Sequence, residues 1–265
     1  MVEFFITENN EIELVEYDAG ATLTDLAAEL ESFRETAPDL KTGKCRGCGE
    51  CCSDNIPVLG LDFAVLGIDP ATLSAGTALS GTEFMVSGAD PSVSGFDSSA
   101  SGSDTAALAS LPVTGSDQTA GSILVLPDRP DLAFRRKAIK EMCEWTSIPE
   151  IEATLLFEYN NAEPLILAKQ ASGECCFLKG GLCSSYTKRP YSCGLYLCNM
   201  GRRLAYIQEM IVRQGTWHAY SKLGWIGEDE LRHNPFLKAD SYDKLLVSDF
   251  EFDLKNTSEQ LFFYF

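Results

Sequence analysis

Nine of the ten cysteines in this chain fall in two short windows that lie far apart along it. The first holds Cys45, Cys48, Cys51 and Cys52 in the run KCRGCGECC. The second, CCFLKGGLCSSYTKRPYSCGLYLC, holds Cys175, Cys176, Cys183, Cys193 and Cys198. A C-x2-C spacing lets two thiolates reach one ion with little chain strain, and Gly47 and Gly49 allow the backbone to bend around it. On a helix, Cys48, Cys51 and Cys52 share a face, yet Cys51 and Cys52 still project about 100° apart. Adjacent cysteines therefore tend to serve different metal atoms, which favours two centres or one polynuclear cluster. Gly180–Gly181 supplies a turn between two cysteine-bearing arms, a shape that carries thiolates back toward the first window. A single buried cysteine is ordinarily an apolar filler. That explanation suits Cys143, on the apolar face of its helix, but not thiols packed this densely. The windows predict a metal centre, provided that their thiolates converge.

The compartment decides between metal and disulfides. The N-terminus, MVEFFITENNEIELVEY, has no basic start, long apolar core or small-residue cleavage site. No stretch approaches the length of apolar sequence that spans a bilayer, so neither a leader nor a membrane helix is expected. The chain reads as cytoplasmic, where thiols stay reduced. With 21 Lys and Arg against 39 Asp and Glu, the net charge of −18 repels phosphate backbones and anionic lipid. Nucleic acid and membrane are therefore poor partners, which leaves an unspecified protein or small molecule. Arg135, Arg136, Lys137 and Lys140 cluster, as do Arg202 and Arg203, and both groups read as solvated helix faces.

The rest of the chain reads as an α+β fold. It is expected to be a small, irregular, metal-stapled domain of short strands and several helices, formed by residues 1–69 and 122–265 and interrupted by an insertion over 70–121. Apolar alternation through Phe4, Ile6, Ile12, Leu14 and Val15 predicts two strands joined at Asn9–Asn10. Thr22 or Thr24 caps a helix to Thr36 that buries Leu26, Ala27, Leu30 and Phe33. A strand and a helix follow in IPVLGLDFAVLGI. From Gly47 to Asp128 there is no Lys or Arg, and the Ser-, Gly-, Ala- and Asp-rich part of this stretch has few apolar anchors to offset its ordering entropy. It is expected to be disordered or β-rich. Asp131 caps a helix to Trp145 whose apolar face is Phe134, Ala138, Ile139, Met142 and Cys143. TLLFEYNNAEPLILAKQ reads as a hairpin turning at Asn160–Asn161. A long helix over 201–220 buries Leu204, Ile207, Ile211 and Ala219, and Phe250, Phe252 and LFFYF read as strands.

Cys45-x2-Cys48-x2-Cys51-Cys52, followed by Cys175-x-Phe-Leu, Cys183-x2-Tyr186 and Arg189-Pro190-x2-Cys193, resembles the CxxCxxCC (YkgJ-like) family of zinc- or iron-chelating cysteine-cluster proteins. The resemblance spans the two windows and excludes the insertion and the tail. It implies metal binding, and matching by position puts Cys175 at the ligand before Phe-Leu, with Cys176 extra. Gly194 stands where the family often has Arg, and Cys198 stands near the family's Tyr-Pro ending. Some relatives resemble protein lysine N-methylases acting on flagellin.

The expected ligands are Cys45, Cys48, Cys51, Cys52, Cys175, Cys183, Cys193 and Cys198. Zinc and iron–sulfur clusters both accept four thiolates. The C-x2-C-x2-C run matches bacterial ferredoxins, although their fourth cysteine, followed by Pro, is missing. Crowded and adjacent thiolates favour an iron–sulfur cluster over a pair of all-thiolate zinc centres. His218 and His233 lie away from both windows and read as ordinary helix-end or loop residues. Arg189 suits either a role beside an anionic metal centre or a simple turn, and Tyr186 shares its loop. Glu209, Glu228 and Glu230 read as surface charge. Dinucleotide, P-loop, radical-cofactor and Ser-His-Asp signatures are absent. Two functions follow: an iron–sulfur protein supporting redox or modification chemistry such as methyl transfer, or a zinc-stapled module without a reaction.

Overall fold

Short antiparallel strands and helices alternate along the chain, giving an α+β fold. The computed structural model describes residues 1–36, 52–74, 123–196 and 199–251, all in one structural unit. β1 (Val2–Ile6) pairs with β2 (Ile12–Tyr17) around a turn in which Asn10 takes a left-handed φ of 60°. The register skips Val15, whose side chain is turned outward and is 45% exposed, while Ile12 and Leu14 stay buried. Thr22 and Asp25 then bond each other's backbone N–H, a reciprocal cap that starts α1 (Leu23–Thr36). Leu23, Leu26 and Leu30 are buried, with Ala27 and Phe33 packed partly against them.

β3 (Pro57–Val58) leads into α2 (Asp62–Leu66) and α3 (Pro70–Ser74). The expected insertion lies outside the described residues except for α3. β4 (Leu124–Val125) and β3 flank β5 (Leu165–Leu167) in an antiparallel sheet of order β3-β5-β4. α4 (Leu132–Thr146) starts at Asp131, whose carboxylate accepts the Ala133 and Phe134 N–H groups.

Three readings are corrected here. The expected hairpin over TLLFEYNN is instead a helix, α5 (Glu150–Asn161), entered from Pro149 with Glu150 and Glu152 in its first turn. Ala153 to Glu158 are all buried, so this part of the helix is a continuous buried run without helical periodicity. Asn160 and Asn161 donate to the carbonyls of Leu156 and Phe157, one turn back, and do not form a turn. Phe250 ends a 3-10 turn, Val247–Phe250, and is buried; the rest of the expected terminal strands lies outside the described residues. Arg135 is not solvated. It is 3% exposed, and Phe134, expected inside, is 54% exposed.

After the hairpin β6 (Leu178–Lys179) and β7 (Leu182–Cys183), α6 (Tyr191–Leu195) precedes the long α7 (Arg202–Lys222). Leu204, Ile207, Met210 and Ile211 of α7 join β1, β2 and α1 in one apolar cluster. Trp217, Ala219 and Tyr220 join the three-stranded sheet, α4 and α5 in a second. β3 comes close to α7 at two glycines: a Cβ on Gly215 would stand 3.0 Å from Leu59, and one on Gly60 would collide with His218. Among the described residues, no helix is long and apolar enough to cross a membrane.

Two buried polar features give testable consequences. Arg135 pairs with Glu158 at 2.6 Å and with Glu230 at 2.9 Å, and Gln214 donates to the second Glu158 oxygen. Burial pushes the Glu158 carboxyl up, opposed by the Arg135 charge. Arg135→Met strands that carboxyl, and the expected loss is about 3–5 kcal/mol, read from urea unfolding. His218 is 1% exposed and stacks on Phe236, with ring centroids 5.6 Å apart. Burial, then the nearby Lys222 ammonium, brings its pKa down to about 4 from 6.5. The resulting stability is complete above pH 6.5 and is lost as pH falls toward 4, by about 3 kcal/mol in all. His218→Gln is expected to remove that part of the slope in urea midpoint against pH.

Candidate metal centre

The second window is shaped by its own backbone. Gly180 and Gly181, at φ 57° and 78°, take the left-handed turn between β6 and β7, and this pairs Leu178 with Cys183. The Leu178 N–H donates to the Cys175 carbonyl, and the Ser184 N–H to the Phe177 carbonyl. Lys169 bridges to Cys175 across the strand end, and the Cys176 N–H donates to Ala168. The Gln170 amide donates to the carbonyls of Cys175, at 2.9 Å, and Leu178, at 2.7 Å. The three residues after β5, Ala168, Lys169 and Gln170, thus clamp the turn that presents Cys175 and Cys176.

Cys193 sits on α6, which is held to the first half of the chain. The Tyr191 N–H donates to Asp62 at 2.9 Å, and the Ser192 hydroxyl donates to the Pro57 carbonyl. Asp62 is fully buried and also accepts the Leu59 N–H and the Tyr242 hydroxyl. At the other end of α6, the Arg34 guanidinium of α1 donates to the Gly194 carbonyl at 2.8 Å.

The first window meets the second at Cys52. The Cys175 N–H donates to the Cys52 carbonyl at 2.6 Å, and the Lys169 ammonium donates to the Ser53 carbonyl at 2.6 Å. Cys52, Cys175, Cys176 and Cys193 all belong to, or pack against, the same apolar cluster. Residues 37–51, which carry Cys45, Cys48 and Cys51, lie outside the described residues, as does Cys198. The chain enters that segment after Thr36, two residues past the Arg34 contact to α6, and leaves it at Cys52 beside Cys175. Described residues on either side of it, Arg34 and Cys52, therefore contact the second window.

The donor set suits a thiophilic metal. None of the described cysteines is in a disulfide. Cys175 is buried, and Cys52, Cys176, Cys183 and Cys193 are half-buried. The Cys175 thiol is drawn down to about 6, first by the hydrogen bond from the Cys176 thiol and further by the Lys169 charge. Cys176, as donor, is pushed up, and burial adds to this. A thiol so poised ionises near neutral pH, the state that a metal requires. Among the described residues, no three Cys, His, Asp or Glu side chains form a group that could hold an ion. A complete ligand set would thus need thiols of residues 37–51 or Cys198.

The other candidates fall elsewhere. Arg189 lies over the Tyr186 ring at 4.4 Å and pairs with Glu31 at 3.5 Å, while the Tyr186 hydroxyl donates to the same carboxylate. Both therefore tie their loop to α1. Cys143 packs against the second cluster from α4, the structural role expected of it. His218 is in the last turn of α7, and the His233 Nε2 accepts from the Arg232 Nε. Glu209 bonds Tyr159 and Arg213, and Glu230 is mostly buried in its contacts with Arg135 and Arg136. Lys169, Gln170, Asp62 and Arg34 were not singled out from sequence. Their only sequence signal was position: Lys169-Gln170 stands between a strand and a cysteine pair.

No protein-family model, curated protein or solved structure matches the chain. The geometry of the turn gives its own test. Gln170→Leu leaves the Cys175 and Leu178 carbonyls without their shared donor, and the expected cost is about 1–2 kcal/mol in urea unfolding. Faster amide exchange at Cys175–Leu178 is expected to accompany it.

Proposed function

We propose that this chain is a cytoplasmic metal-binding protein that holds an iron–sulfur cluster through Cys45, Cys48, Cys51, Cys52, Cys175, Cys183, Cys193 and Cys198. The observation that carries this reading is that residues flanking 37–51 on both sides contact the second window, at Arg34–Gly194 and at Cys52–Cys175. Cys45, Cys48 and Cys51 belong to the fifteen residues (37 to 51) between those two contacts. Adjacent and crowded thiolates suit a polynuclear cluster, whose irons share the ligands between them. The resemblance of the two windows to zinc- or iron-chelating proteins supports metal binding. When bound, such a cluster supplies one-electron redox chemistry or an electrophilic iron site. The chain's own part is to exclude water with the apolar cluster, to hold Cys175 near ionisation and to fix the turn through Gln170. Redox support of a modification reaction such as methyl transfer is the activity proposed for it.

Anaerobic purification followed by iron, zinc and acid-labile sulfide analysis, with a visible spectrum, tests this. A brown protein with iron and sulfide in comparable amounts is the expected result. Cys48→Ser and Cys175→Ser are expected to lose the colour and the metal, and Cys143→Ser to keep both. Colourless protein carrying zinc alone would overturn the iron–sulfur assignment in favour of a zinc-stapled module that chelators unfold. Protein without any bound metal would overturn both.

A further inference from the structure

A cavity of about 590 Å³ opens between α4, the start of α5 and the chain after the 3-10 turn Glu228–Leu231. Its size is that of a small-molecule site. It draws on different residues from the cysteine windows: Arg136 and Lys140 on one wall, Arg232 and His233 on the other. These form a local basic surface in a chain of net charge −18.

The hydrogen-bonding balance of the cavity decides what it would take. Two of its three acids are paired with arginines. Glu230 gives one oxygen to Arg136 and the other to Arg135, and Glu150 is held by Arg232. The remaining wall acid, Asp229, forms no ion pair among the described residues. Its donors are not used up. Arg136 commits Nε and Nη2 to Glu230, and Arg232 commits Nη2 to Glu150 and Nε to His233, so each keeps Nη1 among the described residues. Lys140 makes one long ion pair, to Glu144 at 3.6 Å. His233 accepts at Nε2, so its ring proton is on Nδ1, a further donor. Arg135 also lines the cavity, but its unpartnered Nε is buried away from the surface. The surplus of donors favours a ligand that brings acceptors and negative charge. Donors on facing walls suit a group whose oxygens point in several directions, as those of a phosphate do.

We propose that this cavity binds a small phosphate-bearing molecule. The cavity's size admits such a molecule, whereas the acidic surface around it turns away a long polyanion. Calorimetric titration of the full chain with pyrophosphate and inorganic phosphate, against sodium chloride and citrate at matched ionic strength, tests it. Pyrophosphate is expected to bind in the millimolar range or tighter, and more tightly than phosphate or citrate. Arg232→Gln is expected to weaken it by about tenfold, as loss of a charge-assisted contact does. Lys140→Gln, at an exposed position where folding is not at stake, is expected to weaken it by roughly threefold or more. Lys137→Gln, off the cavity wall, is expected to leave binding unchanged. Heats no different from chloride, citrate binding as tightly as pyrophosphate, or full binding by Lys140→Gln and Arg232→Gln would each overturn the proposal.

Discussion

From Gln214 to Tyr220 every residue of α7 is buried, so this part of the helix is covered around its whole circumference. A helix buried all round is stable only when other elements pack on every side. That requirement organises the molecule. The first half of α7 receives the β1–β2 hairpin and α1, and the second half receives the sheet, α4 and α5. β3 is drawn so close that Gly60 and Gly215 have no room for a side chain, and the Gly60 N–H bonds the Gly215 carbonyl.

Burial of this kind takes polar groups with it. Gln214, Thr216 and His218 lie inside, as do Arg135, Glu158 and Asn234. Part of this set is satisfied internally: Glu158 by Arg135 and Gln214, and the Gln214 carbonyl by Asn234. The Trp217 indole donates to the Glu158 carbonyl, so α5 and α7 are pinned together by directional bonds as well as by packing. These contacts also set one wall of the cavity, because the same arginine that neutralises Glu158 reaches Glu230 beyond it.

The arrangement at the cysteine windows is downstream of the same packing. β3 is fixed against α7, and Cys52 lies a few residues before it. β5 pairs with β3, and Lys169 and Gln170 follow it after Ala168. The place where two remote stretches of chain meet is therefore a consequence of sheet pairing, and Asp62 extends it to α6 by accepting from both Leu59 and Tyr191. Thiol chemistry is added to a junction that hydrogen bonds between main-chain groups already define.

Sequence alone determined the α+β class, the opening hairpin, the cap at Asp131, the Gly180–Gly181 turn and the density of thiols, and it narrowed the cap of α1 to Thr22 or Thr24. Each of these is written in neighbouring residues, through side-chain period, capping chemistry or left-handed turn geometry. Only the tertiary structure decided that TLLFEYNN is a helix, because burial on all sides erases the period by which a helix is read. It also decided that Arg135 is buried, since a guanidinium inside requires Glu158 and Glu230, which are remote in sequence. The meeting of Cys52 with Cys175 belongs to the same class. No local pattern encodes a hydrogen bond between residues so far apart, and it exists because β3 and β5 pair.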